Sequence, residues 1–425
     1  MWRGLYIIMY LKKQDSPVNN LSDVQYVFCG FDDQLISNEN TEIDNSVHLD
    51  GNGVYVYDVA HCKHCHSRKV KKHGQTSRIL YGDDGARHDV VVQRYYCPEC
   101  GKYTQTEFDG EFKPYAHYSN SIMDKMMNVE SWSRISLRNA ANILKEFTNH
   151  PMSHETVRKT MLLVDDYYIS FTSIVPTSGF YGFDTQWVGI NSKWKYRHVI
   201  YDLIYKVPIA ELFSDNEDSK TIKNFIEKTI PAHQRIGIVT DLKPSYNKIM
   251  DNLGFIHQHC QFHFKQIISK YKTEYLRKKE KTLTIKYKKQ GKSIQEVKKE
   301  INRIKNKIQE ELEEFYELFN HESIFEARKY INSLTPKIKQ YTSFLKNYIH
   351  KNFIPHYKKV INFLDNNRLD HTNNQTENFI GNTLPKHIKK IFRTPLGIIN
   401  HILLRDLHWI KKRLKINKKL RDLIP

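Results

Sequence analysis

The spacing of apolar residues between positions 178 and 257 predicts a sheet with helices packed on it. Three runs alternate apolar and polar residues with a period of two, which is typical of strands. Two shorter apolar runs follow, each preceded by a stretch with helical spacing. Three strands followed by helix, strand, helix and strand predict one α/β layer with a mixed sheet. The predicted strands are 179–189, 196–204, 207–213, 236–240 and one that begins at 255, and the predicted helices are 219–230 and 244–250.

Three short helices are expected between residues 119 and 168, ahead of that layer. Ser136 precedes apolar residues at helical spacing, and a serine in this position caps a helix. A break at 148–151 follows, and Ser153 caps a further helical run. A short helix, a tight turn and a second capped helix with basic residues are typical of a helix-turn-helix that reads DNA. The alternative is an ordinary helical hairpin.

A long amphipathic helix is predicted after the layer, within residues 270–364. Lys and Arg crowd its first part, from Lys270 to Lys307, and acidic residues its second part. Such a basic helix face is either solvated or in contact with phosphate. Helical character returns after Asn373, again with basic residues. The apolar residues that recur at spacings of three and four are Ile294, Val297, Ile301, Ile304, Ile308, Leu312, Phe315 and Phe319.

The charge balance indicates a polyanionic partner. The 425 residues include 66 Lys and Arg against 47 Asp and Glu, a formal charge of +19. This balance excludes an acidic solvating protein, and it favours nucleic acid or an anionic membrane surface as the partner. No apolar run reaches the roughly 18 residues of a membrane span. The apolar opening, 1–11, lacks a small-residue cleavage site, so no signal peptide is expected. Nucleic acid is therefore favoured, and no membrane partner is expected.

Four of the six cysteines form two C-x-x-C pairs that predict a structural zinc site in a reducing compartment. Two pairs about 30 residues apart suit tetrahedral Zn²⁺ held by four thiolates. Gly101 lets the chain turn around the metal, and the closed thiolate shell leaves no open position for catalysis. His64 is a weaker alternative to one thiolate. The predicted ligands are Cys62, Cys65, Cys97 and Cys100.

Three acidic residues stand at positions of chemical interest, and each has a structural alternative. Asp184 lies within an aromatic strand, where a carboxylate is costly unless it is paired, hydrogen-bonded or bound to metal. Asp241 follows a short apolar strand, where open α/β sheets bind their ligands. It also precedes Pro244, so its alternative role is to cap the next helix. Glu377 has capping-box spacing with Asn374.

In this order the three acids resemble the D, D, E triad of DDE-type transposases, found in prokaryotic insertion sequences and Mutator-like elements. A zinc ribbon and a helix-turn-helix ahead of the acids repeat the domain order of that family. Cys260 and His263 are similar to a C-x-x-H motif that follows the fifth strand in several such families. The resemblance covers about residues 60 to 415. The stretches that carry it are Gly182-Phe183-Asp184-Thr185-Gln186-Trp187, Ile238-Val239-Thr240-Asp241 and Asn374-Gln375-Thr376-Glu377-Asn378.

The resemblance implies an RNase H-like α/β core, a mixed five-stranded sheet flanked by helices, with a helical insertion before the third acid. It implies that Asp184, Asp241 and Glu377 bind two Mg²⁺ or Mn²⁺ ions. Asp365 and Asp370 compete with Glu377, which is preferred because a helix continues after it and an Asn-rich turn precedes it. The C-x-x-H pair is expected to brace the core or to help bind metal or DNA. The candidates for a second zinc site, with packing as the alternative, are Cys260, His263, His257 and His259.

The sequence therefore predicts a DNA transposase that cuts and joins strands at the ends of a mobile element. We expect it to bind double-stranded DNA as a homo-oligomer, in the cytoplasm of a prokaryote at the nucleoid. The alternatives are a non-catalytic DNA-binding protein derived from a transposase and an RNase H-like nuclease without strand transfer. The predicted segments are 1–55 (weakly defined), 56–112 (zinc ribbon), 113–172 (helix-turn-helix), 173–269 (first part of the catalytic core), 270–364 (basic helical insertion) and 365–425 (last part of the core, with the third acid and C-terminal helices).

Overall fold

A computed structural model describes the chain in nine ranges: 24–27, 46–108, 110–112, 116–133, 136–161, 177–190, 193–386, 388–389 and 395–416. The chain divides into two compact units. The ribbon unit comprises Asp32–Phe171 and Leu396–Lys412, and the core unit comprises Met1–Phe31, Thr172–Pro395 and Arg413–Pro425. Most of the predicted segment 1–55, and residues 162–172 of the predicted helix-turn-helix segment, lie outside the described residues.

Helices and strands are numbered in chain order through the described residues. The first half contains β1 (Val24–Val27), β2 (Val47–Leu49), β3 (Val54–Tyr57), β4 (Lys71–Tyr81), β5 (Arg87–Tyr96), β6 (Tyr103–Gln105), α1 (Asn120–Ser133), α2 (Leu137–Thr148), α3 (His154–Met161), β7 (Phe180–Ile190), β8 (Lys193–Asp202) and β9 (Val207–Ser214). The second half contains α4 (Ser219–Thr229), β10 (Gly237–Thr240), α5 (Pro244–Asn252), β11 (Ile256–His259), α6 (Gln261–Lys289), α7 (Ile294–Tyr316), α8 (Ile324–Ile338), α9 (Ser343–Tyr348), α10 (Tyr357–Ile361), α11 (Asn374–Thr383) and α12 (Pro395–Ile416).

The ribbon unit contains a mixed five-stranded sheet. Strand β5 pairs with β4 in antiparallel fashion, and it also pairs with β3 in parallel and with β6 in antiparallel fashion. Strand β2 extends the sheet from β3. The run Val90-Val91-Val92, rich in β-branched residues, suits a strand with pairing partners on both edges.

Three helices of the ribbon unit pack around one small apolar cluster. Ser136 Oγ accepts a hydrogen bond from Asn139 N at 3.3 Å and caps α2, and Ser153 Oγ accepts one from Thr156 N at 3.0 Å at the start of α3. Between the two helices, Asn149 turns the chain with φ at 56°. The predicted caps and break are therefore confirmed. The cluster contains Ile122, Met126, Ala140, Ala141, Leu144 and Val157.

The core unit contains a six-stranded mixed sheet in the order β1-β9-β8-β7-β10-β11. Strands β7, β8 and β9 are successively antiparallel, whereas β10 and β11 run parallel to β7. All five strands predicted from the apolar pattern are present, so the predicted mixed α/β layer is confirmed. The sequence missed the sixth strand, β1, which pairs with β9 at the edge of the sheet.

Helices α11 and α5 cover opposite faces of this sheet. Alternate side chains of a strand point to opposite faces. On β7, Gly182 faces α11, because a Cβ there would meet Thr376. The next residue, Phe183, faces α5, and its ring packs edge-on against Tyr246 with 5.3 Å between centroids. Asp184, next along the strand, therefore lies on the α11 face.

The predicted amphipathic helix is one arm of a helical hairpin formed by α6 and α7. Gly291, with φ at 71°, supplies the turn, and Ser293 forms a capping box with Glu296 at the start of α7. The predicted apolar stripe packs inward through Ile308, Leu312 and Phe315, in a second hydrophobic core that also includes residues of α6, α8 and α9. Helix α6 begins at Gln261, directly after β11, and not near residue 270. None of the helices in the described ranges is long and apolar enough to cross a bilayer.

Candidate acidic site and cysteine cluster

Asn373 fixes the start of α11 against the middle of β7. Its Nδ2 donates a hydrogen bond to the carbonyl oxygen of Phe183 at 3.0 Å, and its backbone N–H donates to Cys260 Sγ at 3.3 Å. Gly182 permits this approach, since a Cβ there would lie 2.6 Å from Asn373 Oδ1 and closer still to Thr376 Oγ1. The helix that carries Glu377 therefore begins beside the strand that carries Asp184.

Asp184 is a half-buried carboxylate within β7. Its Oδ1 accepts a hydrogen bond from the backbone N–H of Thr185 at 2.8 Å. Burial in the first place, and then the negative charges of Asp241, Glu377 and Glu217, raise its pKa from 3.8 to about 7, although the Thr185 N–H opposes them. Several carboxylates thus act on one position, and their full ionisation is unfavourable unless a cation is present.

The strand register, extended by two residues, sets Asp241 level with Asp184. In the parallel pair β10 and β7, Val239 is level with Gly182, so two residues further along Asp241 is level with Asp184. Burial raises the pKa of Asp241, while the charges of His263 and Lys243 lower it. Its Oδ1 accepts a hydrogen bond from Lys243 N at 3.1 Å. The cap position of α5 is Lys243, so Asp241 is not the helix cap.

Glu377 lies in the first turn of α11, and its Oε1 is 3.6 Å from His263 Nδ1. The capping-box alternative is wrong, because the cap position is Asn373 and its side chain makes no capping hydrogen bond. The competing acids are placed differently. Asp365 is exposed, and Asp370 Oδ2 accepts a hydrogen bond from Gln375 Nε2 at 2.9 Å.

Glu217 is a fourth carboxylate at this place, and the sequence did not single it out. Its Oε1 accepts a hydrogen bond from the Tyr246 hydroxyl at 3.0 Å, and its Oε2 is 2.8 Å from Lys243 Nζ. The signal that could have identified it is the run Asp215-Asn216-Glu217-Asp218, directly after β9. We call Asp184, Asp241, Glu377 and Glu217 together the acidic site.

A buried ion pair holds the far end of α11 on the sheet. Arg197 on β8 and Glu211 on β9 are both inaccessible to solvent and pair through both guanidinium ends, with Arg197 Nε 2.8 Å from Glu211 Oε2. Arg197 Nη1 also donates to Thr383 Oγ1 at 2.9 Å. Because α11 is bound at both ends, the position of Glu377 is fixed by contacts outside its own side chain.

Within the described ranges, two sets of His, Cys, Asp or Glu bring at least three ligand atoms to within 4.8 Å of one another. One set consists of the four ribbon cysteines, and the other of Cys260, His263 and Glu377. Asp184 and Asp241 belong to neither set, although both act electrostatically on the same region. His257 and His259 also lie outside the second set, and they bind Thr240 and Asn247 instead.

The four ribbon cysteines are unpaired thiols with the separations of a metal cluster. Cys62 and Cys100 have their sulfurs 3.5 Å apart, and Cys65 and Cys97 have theirs 3.6 Å apart. A disulfide needs about 2 Å, whereas four sulfurs around one tetrahedral Zn²⁺ lie about 3.8 Å apart. The geometry therefore suits a metal ion. His64, the weaker alternative, lies outside this set.

Two similar turns present these sulfurs. In each, the residue after the second cysteine has positive φ, 57° at His66 and 70° at Gly101. Although burial opposes ionisation, backbone N–H donors of His64 and Cys65 lower the pKa of Cys62 to about 7. The pKa of Cys65 rises to about 12 despite the N–H of Ser67, because burial and neighbouring thiols oppose a second thiolate. Ionisation of several of these thiols at once is therefore favourable only when a cation neutralises their charge.

Exposed basic side chains cluster at two places, the tip of the α6–α7 hairpin and helix α3. At the tip of the α6–α7 hairpin, around Gly291, four exposed lysines flank the turn. On α3, Arg158 and Lys159 are exposed, and Arg158 also pairs with Glu155 at 2.6 Å. Such clusters suit phosphate oxygens. The hairpin lysines are Lys286, Lys288, Lys289 and Lys292.

Comparison with known proteins finds a similar curated protein along most of the chain. No protein-family model matches the sequence. The chain is similar to a curated protein of Methanobrevibacter smithii named "Insertion element ISM1 uncharacterized 48.3 kDa protein". The two sequences are 27% identical over 425 residues, and the alignment covers 95% of this chain and 99% of the relative. The likeness therefore includes both the ribbon unit and the core unit.

Proposed function

We propose that the chain is a DDE-type DNA transposase that cuts and joins strands at the ends of a mobile element with Mg²⁺ or Mn²⁺. The observation that supports the proposal is electrostatic: beside burial, the charges of Asp241 and Glu377, which are far from Asp184 in the sequence, raise the pKa of Asp184. The name of the relative from Methanobrevibacter smithii supports a role in transposition, since that protein belongs to an insertion element.

The strand order of the core unit supports an RNase H-like core. Counted from β7, the five strands lie in the order 3-2-1-4-5, with the first three antiparallel and the last two parallel to the first. In this proposal β1 extends the edge, and α6 to α10 form the insertion between the fifth strand and the helix of the third acid. The six predicted segments are otherwise retained as the proposed domains, except that Leu396–Lys412, predicted as part of the core, belongs to the ribbon unit.

The residues of the acidic site fit hard divalent cations. Mg²⁺ and Mn²⁺ prefer carboxylate oxygens, and Asp184, Asp241 and Glu377 supply them from three different elements. Buried Glu377 Oε1 has no hydrogen-bond partner, so it is available as a ligand. Burial first, and then the charges of the neighbouring carboxylates, raise the pKa of Asp184, and a bound cation would offset both effects.

Each side chain of the acidic site has a separate task in the proposed reaction. Asp184, Asp241 and Glu377 would hold the divalent cations, which when bound would supply activation of the attacking water or 3′-hydroxyl and stabilisation of the leaving 3′-oxygen. Asp184 and Asp241 present oxygens from adjacent strands, and Asp184 must lose its proton first. Glu377 closes the site from α11. Glu217 holds Lys243 and Tyr246 at the rim of the site through an ion pair and a hydrogen bond.

The ribbon unit and the hairpin provide the proposed contacts with double-stranded DNA. Four cysteines hold Zn²⁺ as a structural ion, and α2 with α3 acts as a helix-turn-helix that reads the element ends. The hairpin lysines add salt-sensitive affinity for phosphate without reading sequence. The proposed enzyme works as a homo-oligomer, because two element ends must be joined, and it acts at the nucleoid in the prokaryotic cytoplasm.

Cleavage and joining of labelled element ends test the proposal. The terminal sequences flanking the gene supply the substrate, and Mg²⁺ or Mn²⁺ starts the reaction. We expect Asp184→Asn, Asp241→Asn and Glu377→Gln each to lower strand cleavage and joining at least 100-fold while end binding stays within about twofold, since charge-stabilising groups in such sites contribute factors of this size. Asp370→Asn is the matched control and retains activity.

The products distinguish the proposed enzyme from its alternatives. Joined products that require all three acids support a transposase. Cleaved but never joined ends indicate a nuclease without strand transfer, and sequence-specific binding without any metal-dependent cleavage indicates a non-catalytic DNA-binding protein. Wild-type joining activity in Glu377→Gln contradicts the assignment of the third acid.

A further inference from the structure

A thiol and an imidazole, which the proposed magnesium chemistry does not need, lie next to the third acid. The three residues are Cys260, His263 and Glu377. Their ligand atoms, one sulfur, one imidazole nitrogen and one carboxylate oxygen, all lie within 4.8 Å of one another. Hard magnesium sites are built from oxygens alone, whereas sulfur with imidazole selects softer ions of the zinc class. The set thus differs in chemistry from the carboxylates around it.

The separation of His263 and Glu377 is that of two ligands of one ion. Their nearest atoms, Nδ1 and Oε1, are 3.6 Å apart, beyond a good hydrogen bond. Two ligands at about 2.1 Å from a tetrahedral ion lie about 3.4 Å apart. Both atoms are buried, and neither has a hydrogen-bond partner. A shared cation would satisfy both of them at once.

Cys260 has the surroundings of a metal-bound thiolate. It is fully buried at the cap position of α6, and its sulfur accepts a hydrogen bond from Asn373 N at 3.3 Å. Burial raises the pKa of the Cys260 thiol, while the backbone N–H groups of Asn373, His263 and Phe262 act against this rise. Cys62 of the ribbon unit is held in the same way, by N–H groups of the second and third residues after it. The C-x-x-H spacing therefore builds a turn like those of the ribbon cysteines.

We propose that Cys260, His263 and Glu377 form a second binding site for Zn²⁺ or a similar transition-metal ion, separate from the four ribbon cysteines. Three protein ligands leave one coordination position open, and the partly exposed His263 and Glu377 side chains give an entering ion a path from solvent. The ion would tie the start of α6 to the first turn of α11.

These three side chains define the zinc site by themselves, and metal binding there does not depend on the proposed reaction. Its consequence for catalysis rests on the proposed function: Glu377 is then shared between a soft ion and the magnesium triad. Binding at the two positions competes for one carboxylate, so zinc-class ions oppose magnesium at the third acid.

Metal content of the full-length protein tests the site. The chain is saturated with Zn²⁺, freed of unbound metal, and its zinc measured per chain by mass spectrometry. We expect two zinc ions per wild-type chain and one per chain of Cys260→Ser or His263→Asn. His371→Asn is the matched control: His371 lies 3.5 Å from Asp370 in a similar pair that has no cysteine, and this variant retains two.

Cobalt substitution provides a second, independent readout. Co²⁺ bound to a thiolate absorbs through sulfur-to-metal charge transfer, so the wild type minus Cys260→Ser difference spectrum should show the band of one thiolate. One zinc per wild-type chain, or two retained in both Cys260→Ser and His263→Asn, overturns the site. His263→Asn changes a partly exposed side chain, so this variant still tests the site if Cys260→Ser does not fold. Because the readout is metal content, a failure of strand transfer leaves this result unchanged and counts only against the proposed function.

Discussion

Gly182→Ala is expected to displace the helix that carries Glu377. The new Cβ would lie 2.6 Å from Asn373 Oδ1 and closer still to Thr376 Oγ1. Both residues are fully buried, so α11 must move away from β7 or the sheet must yield. Overpacking of this kind costs about 1–3 kcal/mol. A domain of about 150–250 residues loses about 2–4 °C of melting temperature per kcal/mol, and the core unit is only slightly larger, so we expect a decrease of about 2–12 °C.

The same substitution should also lower the rate of DNA cleavage, and by a large factor compared with its modest effect on the melting temperature. A displacement of about 1 Å at a catalytic group lowers rates about 100-fold, and Glu377 follows Thr376 directly. Thermal denaturation and metal-dependent cleavage of end DNA measure the two effects on one preparation. Gly381→Ala, on the same helix with no atom within 4 Å of the added Cβ, is the matched control and should melt at or slightly above the wild-type temperature.

A compensating change sharpens this test. Thr376 Oγ1 is buried and has no hydrogen-bond partner, so its removal leaves no donor or acceptor unsatisfied. Gly182→Ala combined with Thr376→Ala should therefore recover part of both losses. If Gly182→Ala melts and cleaves as Gly381→Ala does, then α11 does not rest on β7 in the way described, and the placement of Glu377 is refuted.

Three further perturbations test the buried charges of the core unit and the cysteines of the ribbon unit. The pKa of Asp184 is raised in the folded protein, so the free energy of unfolding without metal should fall as pH rises from about 4 to 7. Asp184→Asn should remove this fall and stabilise the protein by about 2 kcal/mol at pH 8, which is half of what the pKa shift corresponds to, because the side chain is half-buried. An unchanged pH profile of chemical denaturation in this variant contradicts the expectation. Glu211→Gln leaves Arg197 buried without its partner and should cost about 3–5 kcal/mol in urea unfolding, so a loss below 1 kcal/mol is inconsistent with the buried pair. Cys97→Ser, or removal of zinc by chelation, should weaken binding to element ends at least tenfold while the core unit keeps its melting transition, and unchanged end affinity after verified zinc loss argues against a role of the ribbon in DNA binding.

The apolar pattern predicted the core sheet because each strand has a local signal. Alternation in β7 to β9 and the short apolar run of β10 are visible without any tertiary information. Strand β1, Val24–Val27, is a four-residue run in a segment whose Asn, Asp and Ser clusters predict weak order, and it extends the sheet by pairing with β9. The start of α6 was also missed, because polar residues follow β11 and the basic run near 270 dominates the pattern.

Part of the acidic site could be predicted from the sequence. Asp184, Asp241 and Glu377 could be singled out from motifs, whereas the acidic run after β9 does not reveal that Glu217 is the member that contacts Tyr246 and Lys243. The role of Gly182 also depends on distance, because only the approach of Asn373 and Thr376 explains why a side chain is excluded there. For Cys260 and His263, the sequence suggested His257 and His259 as partners, and the structure supplies Glu377 instead.

Diffraction at the manganese absorption edge, from crystals of the protein with Mn²⁺ and a cleaved element end, shows whether the three acids bind metal together. We predict anomalous peaks about 2.0–2.2 Å from carboxylate oxygens of Asp184, Asp241 and Glu377, next to the 3′-hydroxyl of the DNA. Bound DNA with no manganese at these three carboxylates, under conditions in which strands are cut, would contradict the account.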